Sequence, residues 1–407
     1  MDGVQQDLFE HVLEAYAAAG GVLSNHALYR DLSDRASIPA SAWEQRLASD
    51  PNGSHSHLKH GIRWLQQSAK QQGLLERDQA RGRGFWRITP KGRRKLTPAA
   101  PRTVMLGYST NLGIALWGSA GDVFSAIDEP ISLCLTSPPY PLARPRDYGN
   151  PTAGEYVDWV CKLLEPIAKH LVPGGSIALN ISNDIFEPGS PARSLYREEL
   201  IIALCRRLSL FKIDELIWES NKPPGPLRWA SVTHQQLNVA WEPVYVFSNV
   251  PTLLRADNRR VLQEHTERHL ALIRRGGEKR TATYGDGAYR IREGSYGRET
   301  AGRIARNVLK FSNRCTDRDA TRRAAKAQGL PMHGATMPLK LARFLVEYLS
   351  EEGDLVVDTC AGWGTTAKAA EITNRRWCVS ELNAEYVLGG ANRFREAPGF
   401  QLHGGLA

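Results

Sequence analysis

The feature that most constrains this fold is a glycine-containing loop near the carboxyl end of the chain. Residues 355–381 read as an apolar strand LVVD, the loop TCAGWGTT, a helix and a second strand RWCVSE. Gly362 and Gly364 leave room for a ligand to approach the backbone. Glu381 follows Asp358 by 23 residues, close to the offset of about 20 at which an acid meets ribose hydroxyls in βαβ units. The segment therefore predicts a nucleoside-binding unit.

The position of this unit argues against an ordinary dinucleotide-binding domain. Ala367 stands where the pattern G-x-G-x-x-G has its third glycine. About 40 residues follow the loop, too few to complete a doubly wound sheet. The remaining strands must come from upstream, where residues 105–250 alternate apolar strands with amphipathic helices. The sequence predicts an α/β sheet in permuted order, with its cofactor-binding half last.

The stretch LTSPPYP (135–141) ends the predicted strand ISLCL with two prolines and an aromatic ring. Proline has no N–H group and fixes φ, so a central strand must stop there. Open α/β sheets bind ligands at the carboxyl ends of their strands. This stretch therefore predicts a functional turn at the ligand-binding edge, in preference to an ordinary surface turn.

The charge of the chain is concentrated in one segment. The net charge of the 407 residues is +9 and the pI is about 9.3, which indicates an anionic partner. Residues 251–330 alone hold 19 Lys/Arg against 9 Asp/Glu. We expect a surface that faces phosphates, the alternative being a solvated basic face.

Cysteine usage and hydropathy exclude several classes of protein. The six cysteines are scattered without a CxxC pair, which argues against a zinc site or a disulfide framework, so no metal is expected. The amino-terminal stretch MDGVQQDLFEH does not resemble a signal peptide, and no apolar run has the length of a membrane span. These observations predict a soluble, cytoplasmic protein without membrane association.

Residues 1–98 predict a separate small domain. Val4, Leu8, Val12 and Tyr16 recur at helical spacing, two further helices follow, and LLERDQARGRGFWRIT reads as a basic two-stranded ribbon. This pattern resembles the winged-helix domains that precede some restriction endonucleases. Such domains often bind DNA through the third helix and the wing. A dimerisation or packing module is the alternative.

The ordered motifs of residues 105–395 resemble the β-class DNA amino-methyltransferases. Gly334 departs from the family, which usually has proline there. The resemblance implies a Rossmann-like permuted methyltransferase sheet with flanking helices. Its parts would be a catalytic half (104–250), a basic target-recognition insert (251–330) and a cofactor-binding half (331–395). The matching blocks are GDVFSAI (121–127), TSPPYPLARPRDYG (136–149), LVPGGSIALNIS (171–182), WEPVYVFS (241–248) and HGATMPLKLARFLVEYLSEEGDLVVDTCAGWGTT (333–366).

The resemblance implies S-adenosyl-L-methionine as cofactor, and family roles carry over to matching positions. Glu381 would bind the ribose hydroxyls and Asp122 would lie on the adenine side. Thr365 and Thr366 would open the helix after the loop. Asn383 would complete the site, the alternative being a helix cap. The other cofactor-binding candidates are Thr336, Pro338, Asp358, Thr359, Cys360, Ala361, Gly362, Trp363 and Gly364.

The TSPPY block would carry catalysis. An exocyclic amino nitrogen is a poor nucleophile, and acceptors aimed at its hydrogens orient it. Ser137 and the Pro138 carbonyl would be those acceptors, Pro139 would help fix the turn, and Tyr140 would stack on a flipped-out base. Serine at the first position favours cytosine N4, since adenine-N6 members usually have aspartate. Further base-pocket candidates are Trp241, Glu242 and Tyr245.

The resemblance implies a site-specific DNA methyltransferase acting on cytosine N4, as a monomer or homodimer. It would serve a restriction–modification system with a possible cognate restriction endonuclease. An adenine-N6 methyltransferase and a catalytically inactive DNA-binding regulator are the alternatives. The candidates for DNA contact are Arg259, Arg260, Arg274, Arg275, Lys279, Arg280, Arg290, Arg292 and Arg298.

Overall fold

The computed structural model describes residues 11–13, 15–16, 19–35, 38, 40–44, 56–71, 73–89, 96–142, 146, 148–220 and 228–403. The chain divides into two compact units, Met1–Lys95 and Leu96–Ala407. This division lies before the predicted domain end at 98, because Thr97 and Pro98 belong to the second unit. Thr97 donates its backbone N–H to Glu385 Oε2 over 2.8 Å, and Pro98 forms an isolated β-bridge with Asn383.

The first unit is a small helical domain with a hairpin. Its third helix buries Ile62, Leu65 and Ala69 in the core with Tyr16 and Trp86, the inward face expected from helical spacing. β3 pairs antiparallel with β1 on one side and β2 on the other. This arrangement confirms the winged-helix prediction. Its elements are β1 (Val22–Ser24), α1 (Asn25–Arg35), α2 (Ala40–Glu44), α3 (His57–Gln71), β2 (Leu75–Arg77) and β3 (Phe85–Ile88).

The second unit alternates strands and helices. Its elements are β4 (Met105–Ser109), β5 (Gly113–Trp117), α4 (Ala120–Phe124), β6 (Ile131–Thr136), α5 (Ala153–His170), β7 (Leu171–Asn180), α6 (Tyr196–Arg207), β8 (Phe211–Glu219), β9 (Trp241–Ser248), α7 (Glu267–Arg274), β10 (Ala282–Tyr284), β11 (Tyr289–Ile291), β12 (Val308–Lys310), α8 (Thr316–Ala327), α9 (Leu339–Leu349), β13 (Leu355–Asp358), α10 (Thr365–Glu371), β14 (Arg376–Glu381), α11 (Ala384–Ala391) and β15 (Gln401–Leu402). Short helical turns cover Arg228–Val232, Pro251–Leu253, Asn258–Val261 and Gly285–Gly287.

One mixed sheet organises the second unit, with strand order β12-β8-β9-β7-β6-β13-β14-β5-β4-β15. The central strands β7, β6, β13, β14 and β5 run parallel. β13 lies directly beside β6, with Val356 opposite Leu133. The late cofactor segment thus inserts next to the strand that precedes TSPPY, which confirms the permuted α/β sheet.

Helices cover both faces of the central strands. Tyr156, Leu164 and Ile167 of α5 belong to one buried core, and Leu341 and Leu345 of α9 belong to the other. Every residue of β6 and β13 is buried. Burial on both faces explains why these strands are continuous apolar runs instead of alternating patterns.

The predicted insert 251–330 is less separate than its composition indicates. β12 is a strand of the main sheet, with Val308 opposite Ile217 of β8. Arg255 near the start of the segment pairs with Asp354 at 2.9 Å. The basic stretch therefore begins and ends on the second unit, and α7 with the β10–β11 hairpin lies between.

Within the described ranges, no helix combines the length and hydropathy needed to span a bilayer. The same residues contain no group of three or more His, Cys, Asp or Glu side chains arranged to hold a metal ion. The six cysteines are all free thiols.

Candidate cofactor and base site

A cavity of about 400 Å3 opens at the carboxyl ends of β6, β13 and β14. The turn after β6 and the glycine loop after β13 meet there because their strands are neighbours. The cavity brings together most of the predicted site residues. These are Ser137, Pro138, Pro139, Tyr140, Thr336, Asp358, Thr359, Cys360, Ala361, Gly362, Trp363, Thr365, Thr366, Glu381 and Asn383.

The Asp358 carboxylate fixes the shape of the glycine loop. Its Oδ1 accepts the N–H of Cys360 at 3.0 Å, and its Oδ2 accepts the hydroxyl of Thr366 at 2.7 Å. Gly362 and Gly364 adopt φ values of 54° and 67°, which favour glycine. Burial raises the pKa of Asp358, and its hydrogen bonds oppose that rise. One carboxylate therefore ties the end of β13 to the loop and to α10.

Glu381 holds the other side of the same loop. Its Oε2 accepts the N–H of Gly362 at 2.8 Å. Its Oε1 accepts the backbone N–H and the side-chain N–H of Asn383, at 2.9 and 3.0 Å. Asn383 makes no side-chain capping bond to α11, so its side chain orients Glu381 and does not cap the helix. Burial raises the pKa of Glu381.

Three predicted cofactor residues lie beside the cavity and do not line it. Asp122 Oδ2 accepts the N–H of Arg102 at 3.0 Å and the hydroxyl of Ser119 at 2.7 Å, so this carboxylate organises the start of α4. Pro338 is the residue before α9. Gly364 packs on Tyr108, whose hydroxyl would lie 2.8 Å from an added Cβ. These positions support the wall from behind.

An aromatic cluster around His333 forms a part of the wall that the sequence interpretation did not single out. The His333 ring stacks on Tyr148 with centroids 5.7 Å apart and meets Tyr386 edge-on at 4.6 Å. An added Cβ on Gly362 would lie 2.7 Å from His333 Nε2. Burial lowers the pKa of His333 to about 4, helped by Arg393 and Arg146. His333 is the first residue of the block HGATMP, and this motif was the sequence signal that could have identified it as a site residue.

The TSPPY turn places two hydroxyls against the ends of β7 and β9. Ser137 Oγ lies 3.1 Å from Tyr140 Oη and donates to Asn180 Oδ1 at 3.4 Å. Tyr140 Oη lies 3.3 Å from both Asn180 Oδ1 and Glu242 Oε2. Asn180 Nδ2 donates to the Pro243 carbonyl at 3.1 Å, which fixes Oδ1 toward the hydroxyls. The sequence interpretation missed Asn180, because it lies in the block LVPGGSIALNIS, 43 positions from Ser137 in the chain.

The other base-pocket candidates from β9 occupy different surroundings. Tyr245 is buried in the sheet core, and its hydroxyl accepts from Arg197 Nη1 at 3.3 Å. Trp241 is half-buried opposite Glu219 of β8. Of the three predicted residues, Glu242 is the one in contact with the TSPPY turn.

Two of the predicted DNA-contact arginines bind the protein itself. Arg260 donates to the carbonyl of Ser350 at 2.9 Å and to Glu351 Oε1 at 3.0 Å, so it secures the carboxyl end of α9. Arg259 pairs with Asp257 at 2.6 Å, but its side chain is 83% exposed, so its contact with DNA stays a prediction. A positive charge in a sequence does not distinguish an arginine that binds a carbonyl or carboxylate from one that faces phosphate.

The remaining predicted contacts are exposed on α7 and around the β10–β11 hairpin. Tyr284, Tyr289 and Tyr296 are about half exposed in the same segment, at 45%, 49% and 50%. Exposed aromatic rings among cations are typical of nucleic-acid surfaces, and the sequence interpretation did not use them. The exposed cations are Arg274, Arg275, Lys279, Arg280, Arg290, Arg292 and Arg298.

Comparison with known families agrees with this site. Residues 131–392 match the DNA methylase family, and residues 6–97 match the Mrr N-terminal domain family. The chain belongs to the DNA methylase family. The match contains both the TSPPY turn and the glycine loop, so the predicted family is confirmed.

Relatives of this DNA methylase support the assignment over most of the second unit. The chain is 31% identical to the Type II methyltransferase M.PvuII of Proteus hauseri, over 70% of this chain and 85% of that protein. It is 23% identical to the Type II methyltransferase M.BglII of Bacillus subtilis, over 64% and 62% of the two chains. The solved structure of PvuII DNA methyltransferase (cytosine-N4-specific) covers 70% of this chain and 87% of that chain, with a TM-score of 0.55 and 27% identity.

Proposed function

We propose that this DNA methyltransferase transfers a methyl group from S-adenosyl-L-methionine to N4 of a cytosine turned out of duplex DNA at a specific sequence. The observation that carries the proposal is the position of Ser137. It lines the cavity formed by the glycine loop, and its hydroxyl also faces Tyr140 and Asn180. A cofactor in the cavity and a base against this turn would therefore be neighbours.

The lining of the cavity fits a cationic nucleoside cofactor. Asp358 and Glu381 are carboxylates whose pKa is raised by burial, and a bound cation offsets the cost of ionising them there. Glu381 Oε2 accepts one hydrogen bond, from Gly362, and keeps a lone pair that can accept a ribose hydroxyl. Thr336 Oγ1 is buried without a hydrogen-bond partner among the described residues, which leaves it for a polar ligand group. S-adenosylmethionine supplies an electrophilic methyl group on a sulfonium centre.

The turn residues suit an exocyclic amino group. The Ser137 hydroxyl and the Pro138 carbonyl can accept the two amino hydrogens and direct the nitrogen lone pair toward the cavity. The Tyr140 ring can stack on the base. A base inside a duplex cannot reach these groups, so the target must be flipped out. Serine at position 137, and the cytosine-N4-specific name of the PvuII enzyme, support cytosine over adenine.

The exposed cations of α7 and the β10–β11 hairpin support contact with DNA. Cations that neutralise phosphates supply affinity, while base-edge contacts in the grooves supply specificity. Two curated relatives are named Type II methyltransferases, which supports a role in restriction–modification with a cognate endonuclease. The free cysteines and a DNA substrate support a cytoplasmic site of action.

We infer that the winged-helix unit adds a second contact with the duplex. Residues 56–89 contain seven Lys/Arg and two Asp/Glu. Arg63, Trp64 and Gln67 lie exposed on α3, and the Trp64 side chain is 58% exposed. Asp78 accepts the N–H of Arg81 at 3.3 Å and pairs with Arg87 at 3.0 Å, which orders the hairpin tip. The charge of this segment complements a phosphate backbone.

Transfer of labelled methyl groups to duplex DNA, followed by hydrolysis and identification of the nucleoside, tests the proposal. We expect N4-methylcytosine. Label in adenine alone would refute cytosine as the target, and DNA binding without any transfer would indicate a regulator. Ser137→Ala should lower turnover roughly 100-fold with cofactor affinity retained. Ser125→Ala, an exposed serine, is the matched control and should leave turnover unchanged.

A further inference from the structure

We propose that Glu242 is the terminal proton acceptor of the reaction, reached from the target amino group through Ser137 and Tyr140. The inference rests on the proposed function, because it requires an exocyclic amino group against the TSPPY turn. The inference adds a proton acceptor, which the TSPPY turn itself does not supply.

The reaction needs a group that can keep a proton. When the amino nitrogen forms its bond to carbon it becomes cationic and must lose one hydrogen. A serine hydroxyl and a backbone carbonyl can accept a hydrogen bond, but neither retains a proton near neutral pH. With serine at position 137, the turn contains no carboxylate. An acceptor within the protein must therefore come from another element.

The hydrogen bonds of the turn lead to one carboxylate. Ser137 Oγ lies 3.1 Å from Tyr140 Oη, which donates to Glu242 Oε2 at 3.3 Å. Asn180 contacts both hydroxyls through Oδ1, but the amide oxygen of asparagine does not become protonated near neutral pH. Its orientation is fixed by the bond from Nδ2 to the Pro243 carbonyl. Within this set of contacts, Glu242 is the group that can be protonated.

The relay balances in atoms and charge. The bond between N4 and the methyl carbon forms as the carbon–sulfur bond breaks, and that electron pair stays on sulfur, which becomes a neutral thioether. The N4 proton passes to Ser137 Oγ, the Ser137 proton passes to Tyr140 Oη, and the Tyr140 proton passes to Glu242. The carboxylate becomes neutral, and water later removes its proton.

The surroundings of Glu242 also suit a second role, in which its negative charge stabilises the transition state. The residue is half-buried at the start of β9, opposite Trp218 of β8. Tyr140 from the turn and Tyr196 from α6 face it, and burial followed by the Glu242 charge raises the pKa of Tyr140. A negative charge beside the TSPPY turn would stabilise the positive charge that develops on the amino nitrogen during methyl transfer. Neither tyrosine titrates between pH 5 and 9, but Asp358 and Glu381 in the cavity also have raised pKa values. The contribution of Glu242 to a rate change at acid pH is therefore read from the difference between the wild type and a Glu242 variant.

Single-turnover methylation by the full chain, measured from pH 5 to 9 with the product nucleoside identified, tests the role. Glu242→Gln should lower the rate roughly 100-fold at neutral pH. The wild-type rate should fall more at acid pH than the rate of the variant, which keeps Asp358 and Glu381 but has no carboxylate at position 242. Cofactor and DNA affinities, measured separately, should stay within about twofold. Glu219→Gln, an exposed carboxylate that pairs with Lys310, is the matched control and should retain the wild-type profile.

A second variant separates a chemical role from a structural one. Asn180→Asp places a carboxylate in contact with both hydroxyls, so the double variant Glu242→Gln/Asn180→Asp should recover at least tenfold of the lost rate. Recovery would support the relay. An unchanged rate in Glu242→Gln, or a double variant that binds both ligands without recovery, would overturn it. If the wild-type product is N6-methyladenine, the cytosine proposal fails, whereas N4-methylcytosine with an unaffected Glu242→Gln refutes the relay alone.

Discussion

Thr136 and Thr359 share a hydrogen bond, with their side-chain oxygens 2.9 Å apart, although 223 positions separate them in the chain. Thr136 ends β6 and Thr359 follows β13, and both are almost fully buried. Their contact joins the strand that leads to TSPPY with the strand that leads to the glycine loop. The two halves of the permuted site are thus fastened at the point where a methyl donor and an acceptor would meet.

Loss of one of these hydroxyls should destabilise the protein measurably. Thr136→Val leaves the buried Thr359 hydroxyl without this partner, and an unsatisfied buried polar group costs about 1–3 kcal/mol. We expect a decrease of that size in the free energy of unfolding of the second unit, measured by denaturant titration. The double variant Thr136→Val/Thr359→Val should cost less than the sum of the two single changes. Exposed Thr252→Val should change nothing, and an equal effect there would contradict the assignment.

The sequence predicts those parts of the site that are local in the chain. Asp358, Gly362 and Glu381 lie within one strand–loop–helix–strand unit, so their spacing indicates both structure and chemistry. The order of the two halves agrees with the structure, in which β13 lies beside β6 in one sheet. These predictions needed no knowledge of long-range packing.

Other parts depend on tertiary contacts that spacing does not encode. Asn180 reaches Ser137 from another strand, and Tyr148 meets His333 across 185 positions of chain. The place of Asp122 on the adenine side stays a prediction, and its carboxylate accepts the backbone N–H of Arg102 and the hydroxyl of Ser119, which its motif does not indicate. Arg260 was assigned to DNA from its charge, yet it binds backbone carbonyls. Most of these partners come from a separate segment or from the backbone.

His333 should make the stability of the free protein depend on pH. Its pKa is about 4 in the folded state, below the ordinary value of about 6.5. Between these values the unfolded chain binds more protons, so the free energy of unfolding should fall as pH decreases from about 6.5 to 4, by at most about 1.4 kcal/mol per pH unit. His333→Phe keeps a ring against Tyr148 and Tyr386 but cannot titrate. Denaturant titrations at several pH values should show a smaller acid loss in this variant, and an identical loss would contradict the assignment.

Alanine variants of Arg260 and Arg290 should differ in their effects, because the first arginine is structural and the second is predicted to bind DNA. Arg260→Ala removes donors to Ser350 and Glu351 and should lower the free energy of unfolding by about 1–3 kcal/mol. Arg290→Ala, at an exposed site on β11, should leave stability unchanged. In DNA binding measured against salt concentration, Arg290→Ala should reduce the slope of log affinity by about one, while Arg260→Ala should retain the wild-type slope. The reverse pattern would refute both assignments.

The winged-helix unit should contribute to DNA affinity and not to the chemical step. Trp64→Ala changes a side chain that is 58% exposed, so we expect little loss of stability but weaker binding of the full chain to duplex DNA. Arg63→Glu should weaken binding further and reduce its salt dependence, since it places a negative charge against the phosphates. Arg30→Glu makes the same charge change at an exposed position of α1 and should bind like the wild type. Methylation at saturating DNA should be equal in all four proteins. If Trp64→Ala and Arg63→Glu both bind DNA with wild-type affinity, the unit does not touch the duplex, and its exposed tryptophan indicates a protein partner instead.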